Sequence, residues 1–269
     1  MANKFKDQVV WITGASSGIG AALATEFVKE GATVAISARR ESRLNNLSEA
    51  LGGKAHVFTL DVQNKSAVDH VAHQIASKLG KIDTVVANAG YSAVGSLESL
   101  SEEVWRKQFD TNVFGVVWTL QAAIPYLRQT QGRIGIMSSV VGKIALANNA
   151  AYSASKHALT AIANALYQEL YSSGISVTNI APGWVDSEIW AVNNLGQPKE
   201  NRTDIKTFGL RWPSPKAARV MLNALHLRKR EEIVTGHGKL VAFLGTHLAP
   251  VTYWGLAKAS KAAGMSPQA

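Results

Sequence analysis

A phenol and an ammonium four residues apart are the first sign of chemistry in this chain. Tyr152 and Lys156 lie in "VVGKIALANNAAYSASKHAL", residues 140–159, directly behind the Ser138–Ser139 pair. Residues four apart share one face of a helix, so a helical turn here sets the two groups side by side. A second sign lies near the chain start, in "TGASSGIG", Thr13 to Gly20. Gly14 permits a tight turn, Gly18 lets backbone approach a pyrophosphate, and Gly20 lets the next helix pack close to its strand. That helix then offers Ser16, Ser17, Ile19 and their neighbours at its positive end, where free N–H groups meet phosphate oxygens. Set between an apolar strand and an amphipathic helix, the pattern predicts a dinucleotide site.

The second strand ends in "AISARRESRL". Folds that prefer NAD place an acid here to accept hydrogen bonds from the adenosine ribose. This chain has Ala38, followed by Arg39 and Arg40. A carboxylate repels a 2′-phosphate and a guanidinium binds one, so NADP(H) is the expected cofactor. Arg39 is the first choice for the phosphate; Arg40 and Arg43 have solvated positions as the alternative.

These groups need a scaffold, and the chain alternates short β-branched runs with segments of helical period. Strands are expected at Gln8–Thr13, Thr33–Ser37, His56–Leu60, Thr84–Asn88, Gly132–Ser138, Ser176–Ile180 and Glu232–Thr235. Helices are expected near 18–30, 41–51, 64–80, 101–128, 151–173 and 214–228. Such alternation predicts an α/β fold, a doubly wound parallel sheet of about seven strands with helices on both faces. Ligands then sit at the carboxyl ends of the strands. No linker or repeat interrupts residues 1–269, so one domain is expected, with an irregular substrate lid near 186–213 and a tail near 239–269.

Composition narrows the classes. The chain has 269 residues, 46% hydrophobic and 17% charged, which describes a globular protein with a substantial core. It contains no cysteine, which removes disulfides and thiolate chemistry. The seven histidines form no metal-like spacing, so no metal is expected and surface positions are assigned to them. The first strand follows the start too closely for a signal sequence, and a cytoplasmic location is expected. The net charge is +9, and residues 199–269 carry 12 Lys+Arg against 4 Asp+Glu. No nucleic-acid motif accompanies that basic end, so nucleic acid is not an expected partner.

Taken together, these residues resemble the short-chain dehydrogenases/reductases in their single-domain, Rossmann-type form. The resemblance covers most of the chain: "TGASSGIG", "LDV" at Leu60–Val62, "NAG" at Asn88–Gly90, Asn112 in "TNVFG", Ser139, "YSASK" at Tyr152–Lys156 and "PGWVDS" at Pro182–Ser187. Twelve residues separate Ser139 from Tyr152 and three separate Tyr152 from Lys156, which makes the set specific.

The resemblance implies hydride transfer between nicotinamide and a carbonyl or alcohol, with Tyr152 as general acid/base. A free tyrosine titrates near ~10, too high for a base at neutral pH, and a nearby Lys156 ammonium is expected to lower it. By the same resemblance Lys156 holds the nicotinamide ribose, Ser139 polarises the substrate oxygen and Asn112 positions a water chain. Asp61 and Val62 fall at the adenine. Ala89 and Gly90 fall along the cofactor, whereas Asn88 more readily ties strands together. Pro182, Gly183 and Val185 shape the loop under the nicotinamide, and Ser187 keeps a hydroxyl where the family usually has threonine. The family's frequent proline before the tyrosine is missing from "IALANNAAY", which bears on pocket shape.

Substrate contacts are expected from Val140, Ile144, Asn148, Asn149, Trp184, Ile189, Trp190 and Leu195. Their mostly apolar character points to a hydrophobic ketone or secondary alcohol. A 3-oxoacyl thioester on acyl carrier protein or coenzyme A is the second possibility, because the basic end suits an acidic carrier. A cofactor-sensing protein without turnover is a third. The stretch Leu240–Ala257 holds no charged side chain and is followed by Lys258 and Lys261. It reads as a cap over the substrate mouth or a subunit contact, with peripheral membrane contact as the alternative. Excess apolar surface on helices 101–128 and 151–173 leads to the expectation of a homodimer or homotetramer.

Overall fold

The computed structural model describes residues 3–190, 192–197 and 210–262. Seven strands form one parallel sheet in the order β3-β2-β1-β4-β5-β6-β7. They are β1 (Val9–Thr13), β2 (Thr33–Ala38), β3 (Ala55–Thr59), β4 (Thr84–Ala87), β5 (Arg133–Met137), β6 (Ser176–Ala181) and β7 (Glu231–Ile233). Every residue of "VVWIT" in β1 is buried, as required of a central strand covered on both faces. The one polar atom of Trp11 is satisfied there, its Nε1 donating to Ser37 Oγ at 2.9 Å.

Helices cover both faces. On one side lie α1 (Gly18–Lys29), α2 (Glu41–Ala50) and α7 (Ser214–His226), packed over Val10, Ile12, Val34, Ile36 and Ile180. On the other lie α3 (Lys65–Leu79), α4 (Glu102–Phe109), α5 (Gly115–Thr130) and α6 (Ala150–Glu169), and the core there holds Trp11, Val85, Ile134, Ile136 and Val177. The strand order reverses between β1 and β4, and their carboxyl ends open a crevice at that point.

Three local expectations need correction. The helix expected over 101–128 is divided, because Asp110–Phe114 form a π-turn between α4 and α5. At the junction Gly115 presses on Val62, where a Cβ would stand 2.6 Å from Val62 Cγ2. The helix expected over 151–173 stops at Glu169, and a 3-10 turn and left-handed Gly174 (φ 72°) lead into β6. The strand expected at Glu232–Thr235 is shorter, because the Thr235 hydroxyl accepts from Gly238 N at 3.1 Å and caps a new helix, α8 (Gly236–His247). A last helix, α9 (Ala249–Ala262), follows at 116° to α8. Within the lid, Glu188–Trp190 form a 3-10 turn and Val185 bridges to Trp212; residues 198–209 lie outside the described part.

Candidate active site

A cavity of about 730 Å³ runs from the glycine turn, past β4, to α6 and the tail helices. At one end the turn is built so tightly that side chains are excluded. Gly14 takes φ +68°, and a Cβ there would fall 2.7 Å from Ala89 Cα. A Cβ on Gly20 would fall 2.7 Å from Asn88 Nδ2. Asn88 therefore acts as a strut, its Nδ2 donating to the Thr13 carbonyl at 2.9 Å and to the Gly14 carbonyl at 3.2 Å. Ser17 precedes α1 without a side-chain cap, so the amides of the first turn keep their capacity for an outside acceptor. The cradle fits a dinucleotide pyrophosphate, and Ser16, Ser17, Gly18, Ile19, Asp61, Val62, Ala89 and Gly90 all line it.

Three arginines line the same end of the cavity. Arg39 donates to the Gly196 carbonyl in the lid at 2.8 Å. Arg40 is part-exposed but fully engaged: it donates to Ser16 Oγ at 2.9 Å, to Ser17 Oγ at 2.8 Å and to Glu188 Oε2 at 3.1 Å. Arg43 holds both oxygens of the same carboxylate, at 2.8 and 2.7 Å. Burial raises the Glu188 carboxyl pKa, but the hydrogen bonds and charges of Arg43 and Arg40 outweigh it and bring the group down to about 2. One lid residue thus occupies the guanidiniums best placed to meet a second anion.

At the other end, β5 delivers Ser138 and Ser139 and α6 delivers Tyr152 and Lys156. The two serines divide their work. Ser138 is turned to α6 and donates to the Lys156 carbonyl at 3.0 Å. Ser139 heads the short turn Val140–Gly142, accepting from Val141 N at 3.3 Å and donating to the Pro182 carbonyl at 3.4 Å. Lys156 is buried; its Nζ donates to the Met137 carbonyl at 2.7 Å and stands 5.5 Å from the centre of the Tyr152 ring.

Burial dominates the titration of this pair. It pushes the Tyr152 phenol up to about 12 against the opposing pull of the Ser139 hydroxyl. It brings the Lys156 ammonium down to about 7. The expected lowering of the tyrosine by the lysine is therefore outweighed in the polypeptide, since removing both groups from water favours their neutral forms.

Asn112 sits in the π-turn and is fully buried behind Gly90. Its Oδ1 accepts from Tyr91 N at 3.1 Å, and its Nδ2 donates to the Tyr91 carbonyl at 2.9 Å and Ser155 Oγ at 3.1 Å. Ser155 in turn donates to the Tyr152 carbonyl at 2.7 Å. Asn112 thus clamps the chain after β4 to the helix that carries the tyrosine, and it does not line the cavity.

Of the expected substrate residues, Val140, Ile144, Asn149, Trp184 and Ile189 line the cavity. Asn148 does not; it adopts φ +57° and its carbonyl accepts from Gly95 N at 2.9 Å. Leu195 packs instead with Tyr91, Ala93 and Val104 beside the lid. The Trp190 side chain lies outside the described residues. Pro182, Gly183, Val185 and Ser187 line the cavity as expected.

Residues 8–198 match the family profile described as short chain dehydrogenase. This chain belongs to the short-chain dehydrogenases/reductases. It is 37% identical over 216 residues to an uncharacterised oxidoreductase of Staphylococcus epidermidis, covering 78% of this chain and 94% of that protein. It is 33% identical over 261 residues to dehydrogenase/reductase SDR family member 7B of Xenopus tropicalis, covering 93% of this chain and 84% of that one. Among solved structures it is similar to an alcohol dehydrogenase from the archaeon Thermococcus sibiricus complexed with 5-hydroxy-NADP. That match has a TM-score of 0.73 and 26% identity and covers 85% of this chain and 96% of that one.

The far end of the cavity is lined in part by the tail, one of the two placements expected for Leu240–Ala257. Val241, Leu244, Thr252 and Leu256 of the tail helices line the cavity, and the Tyr253 hydroxyl accepts from Ala145 N at 3.1 Å. The tail is therefore a cap over this end of the site. His237 also lines it, correcting the surface assignment. Its Nε2 accepts from Trp184 N at 3.1 Å, and burial lowers its pKa, in keeping with a neutral ring. The sequence signal that could have found it is "VTGHG", where a threonine cap two residues before the histidine starts a helix.

Proposed function

We propose that this oxidoreductase uses NADP(H) to interconvert a hydrophobic ketone and its secondary alcohol. The observation that supports it most is the placing of Tyr152, Lys156 and Ser139 at the far end of the same cavity that begins at the glycine turn. The bound cofactor supplies or accepts the hydride at its nicotinamide ring. In reduction the Tyr152 hydroxyl gives its proton to the carbonyl oxygen, and in oxidation the phenolate takes it back. Ser139, anchored to the Pro182 carbonyl, offers a hydrogen bond to that oxygen. Lys156 in its ammonium form stabilises the phenolate and holds the nicotinamide ribose, while Asn112 positions α6 through Ser155 and Tyr91. A phenol held at about 12 stays protonated at neutral pH, the form that gives the proton in carbonyl reduction.

The preference for NADP(H) rests on Arg39, Arg40 and Arg43, with no acid at Ala38 to repel a 2′-phosphate. The similar archaeal enzyme was solved with an NADP derivative and two other similar structures with NAD and NADH, so the preference is argued from the arginines. In this reading a 2′-phosphate takes over the arginines that Glu188 now holds. The hydrophobic substrate is supported by the walls, in which Val140, Ile144, Val241, Leu244 and Leu256 outnumber polar groups.

The test is consumption of NADPH and NADH by the purified chain with a panel of aliphatic, aromatic and steroid ketones and 3-oxoacyl thioesters, beside Tyr152→Phe. Turnover with ketones and NADPH that falls by about 10²-fold or more in Tyr152→Phe, with NADPH binding retained, is the expected result. Turnover confined to thioesters, or unchanged in the variant, overturns the proposal.

A further inference from the structure

Helix α9 is anomalous for a helix that ends a compact fold: none of its residues from Ala249 to Ala262 is buried. It packs on α8, its Tyr253 hydroxyl accepts from Ala145 N, and its Thr252 and Leu256 line the cavity. The outward faces of both helices are apolar. Leu240 is 61% exposed, Phe243 55%, Val251 68% and Trp254 62%. An apolar surface of this kind calls for a cover.

Charge indicates which cover. From Gly236 to Ala269 the sequence contains Lys239, Lys258 and Lys261 and no Asp or Glu. Lys258 Nζ lies 3.9 Å over the Trp254 ring, so an aromatic and an ammonium share one spot on the exposed face. Lys239 has Glu232 at 4.0 Å, but a second copy pairing through the α9 face by a two-fold axis would set Lys258 and Lys261 against their own copies with no acid on that helix. An anionic lipid surface satisfies both parts, taking Phe243, Val251 and Trp254 among its acyl chains and the lysines among its headgroups. No single described helix is long and apolar enough to cross a bilayer, and α8 and α9 meet at a 116° bend.

We infer that the outer faces of α8 and α9 form a docking surface for an anionic lipid bilayer. Their inner faces line the substrate end of the cavity, so the docked chain turns the mouth of its site toward the lipid. The inference does not depend on the substrate or the cofactor, because its readout is binding.

The test is sedimentation of the full chain with phosphatidylcholine vesicles, with and without phosphatidylglycerol, at low and high salt. The chain is expected to sediment with phosphatidylglycerol vesicles and to be released by salt. Lys258→Gln with Lys261→Gln should weaken this roughly thirtyfold, at about one elementary contact per lysine. Phe243→Ser with Trp254→Ser should abolish it. All these side chains are exposed, and unchanged melting temperatures and NADPH binding check that the fold is kept. Equal sedimentation of all variants, or none by the parent chain, overturns the inference. So does a drop in solution mass caused by Phe243→Ser with Trp254→Ser in a parent that ignores vesicles, which would assign the face to a second copy.

Discussion

Lys156 should make the stability of this protein rise with pH, and removing it should erase that rise. In the unfolded chain the ammonium keeps its proton to the ordinary 10.5, whereas in the fold burial brings it down to about 7. Between those values the unfolded state binds more protons, so unfolding becomes harder as pH increases. The cost of burying the charge is fully present below pH 7 and gone above 10.5. At about 1.4 kcal/mol per unit, the shift corresponds to roughly 5 kcal/mol of stability gained across that window. Tyr152 acts in the opposite sense. Its folded pKa of about 12 exceeds the ordinary 10.0, so above pH 10 the folded state holds the extra proton and stability falls as the phenol of the unfolded chain ionises.

The assay is urea unfolding of the cofactor-free chain at fixed protein concentration, in half-unit steps from pH 6.5 to 10.5, for the parent and Lys156→Met. The parent should gain stability through this range and the variant should be nearly flat. At pH 7 the variant should be the more stable of the two, by less than the full figure, because it also loses the 2.7 Å bond from Nζ to the Met137 carbonyl. Parallel pH profiles for the two proteins would refute the reasoning, since the charge would then cost nothing to bury.

Three further outcomes are expected. Glu188→Gln should tighten NADPH binding by up to about tenfold and leave NADH nearly unchanged, because two partly exposed ion pairs no longer compete with the 2′-phosphate; titration calorimetry with both cofactors measures it. Gly20→Ala should lower stability by about 1–3 kcal/mol and impair cofactor binding, since its Cβ would lie 2.7 Å from Asn88 Nδ2 and 2.9 Å from the Gly14 carbonyl carbon; thermal unfolding with and without NADPH reads both effects. Asn112→Ala should leave the buried Tyr91 backbone N–H without its partner, while the Tyr91 carbonyl keeps Gln108 Nε2 at 2.9 Å, and cost about 1–3 kcal/mol, with kcat falling more than cofactor affinity; unfolding and steady-state kinetics check the two halves.

Much of the site could be read from local pattern. The glycines of the first turn, the Tyr152–Lys156 spacing and the strand–helix alternation are set by backbone geometry within a few residues, so they survive without knowledge of the fold. About seven parallel strands, with a ligand site at their carboxyl ends, followed from them; the reversal between β1 and β4 came from the sheet order. What pattern could not supply were contacts between distant segments. The pairing of Arg40 with Glu188 could not be read because the two lie 148 residues apart in sequence. Asn148 and Leu195 looked like pocket residues because only packing shows which side of a loop meets the cavity. Asn112 needed the π-turn to bring its amide onto Tyr91, and His237 needed α8 to begin at Thr235. The sequence alone determined which groups would do the chemistry, since residue type and near-neighbour spacing dictate that. The tertiary structure decided their protonation, their partners and which tail residues meet the cavity, because burial and long-range contact exist only in the folded chain.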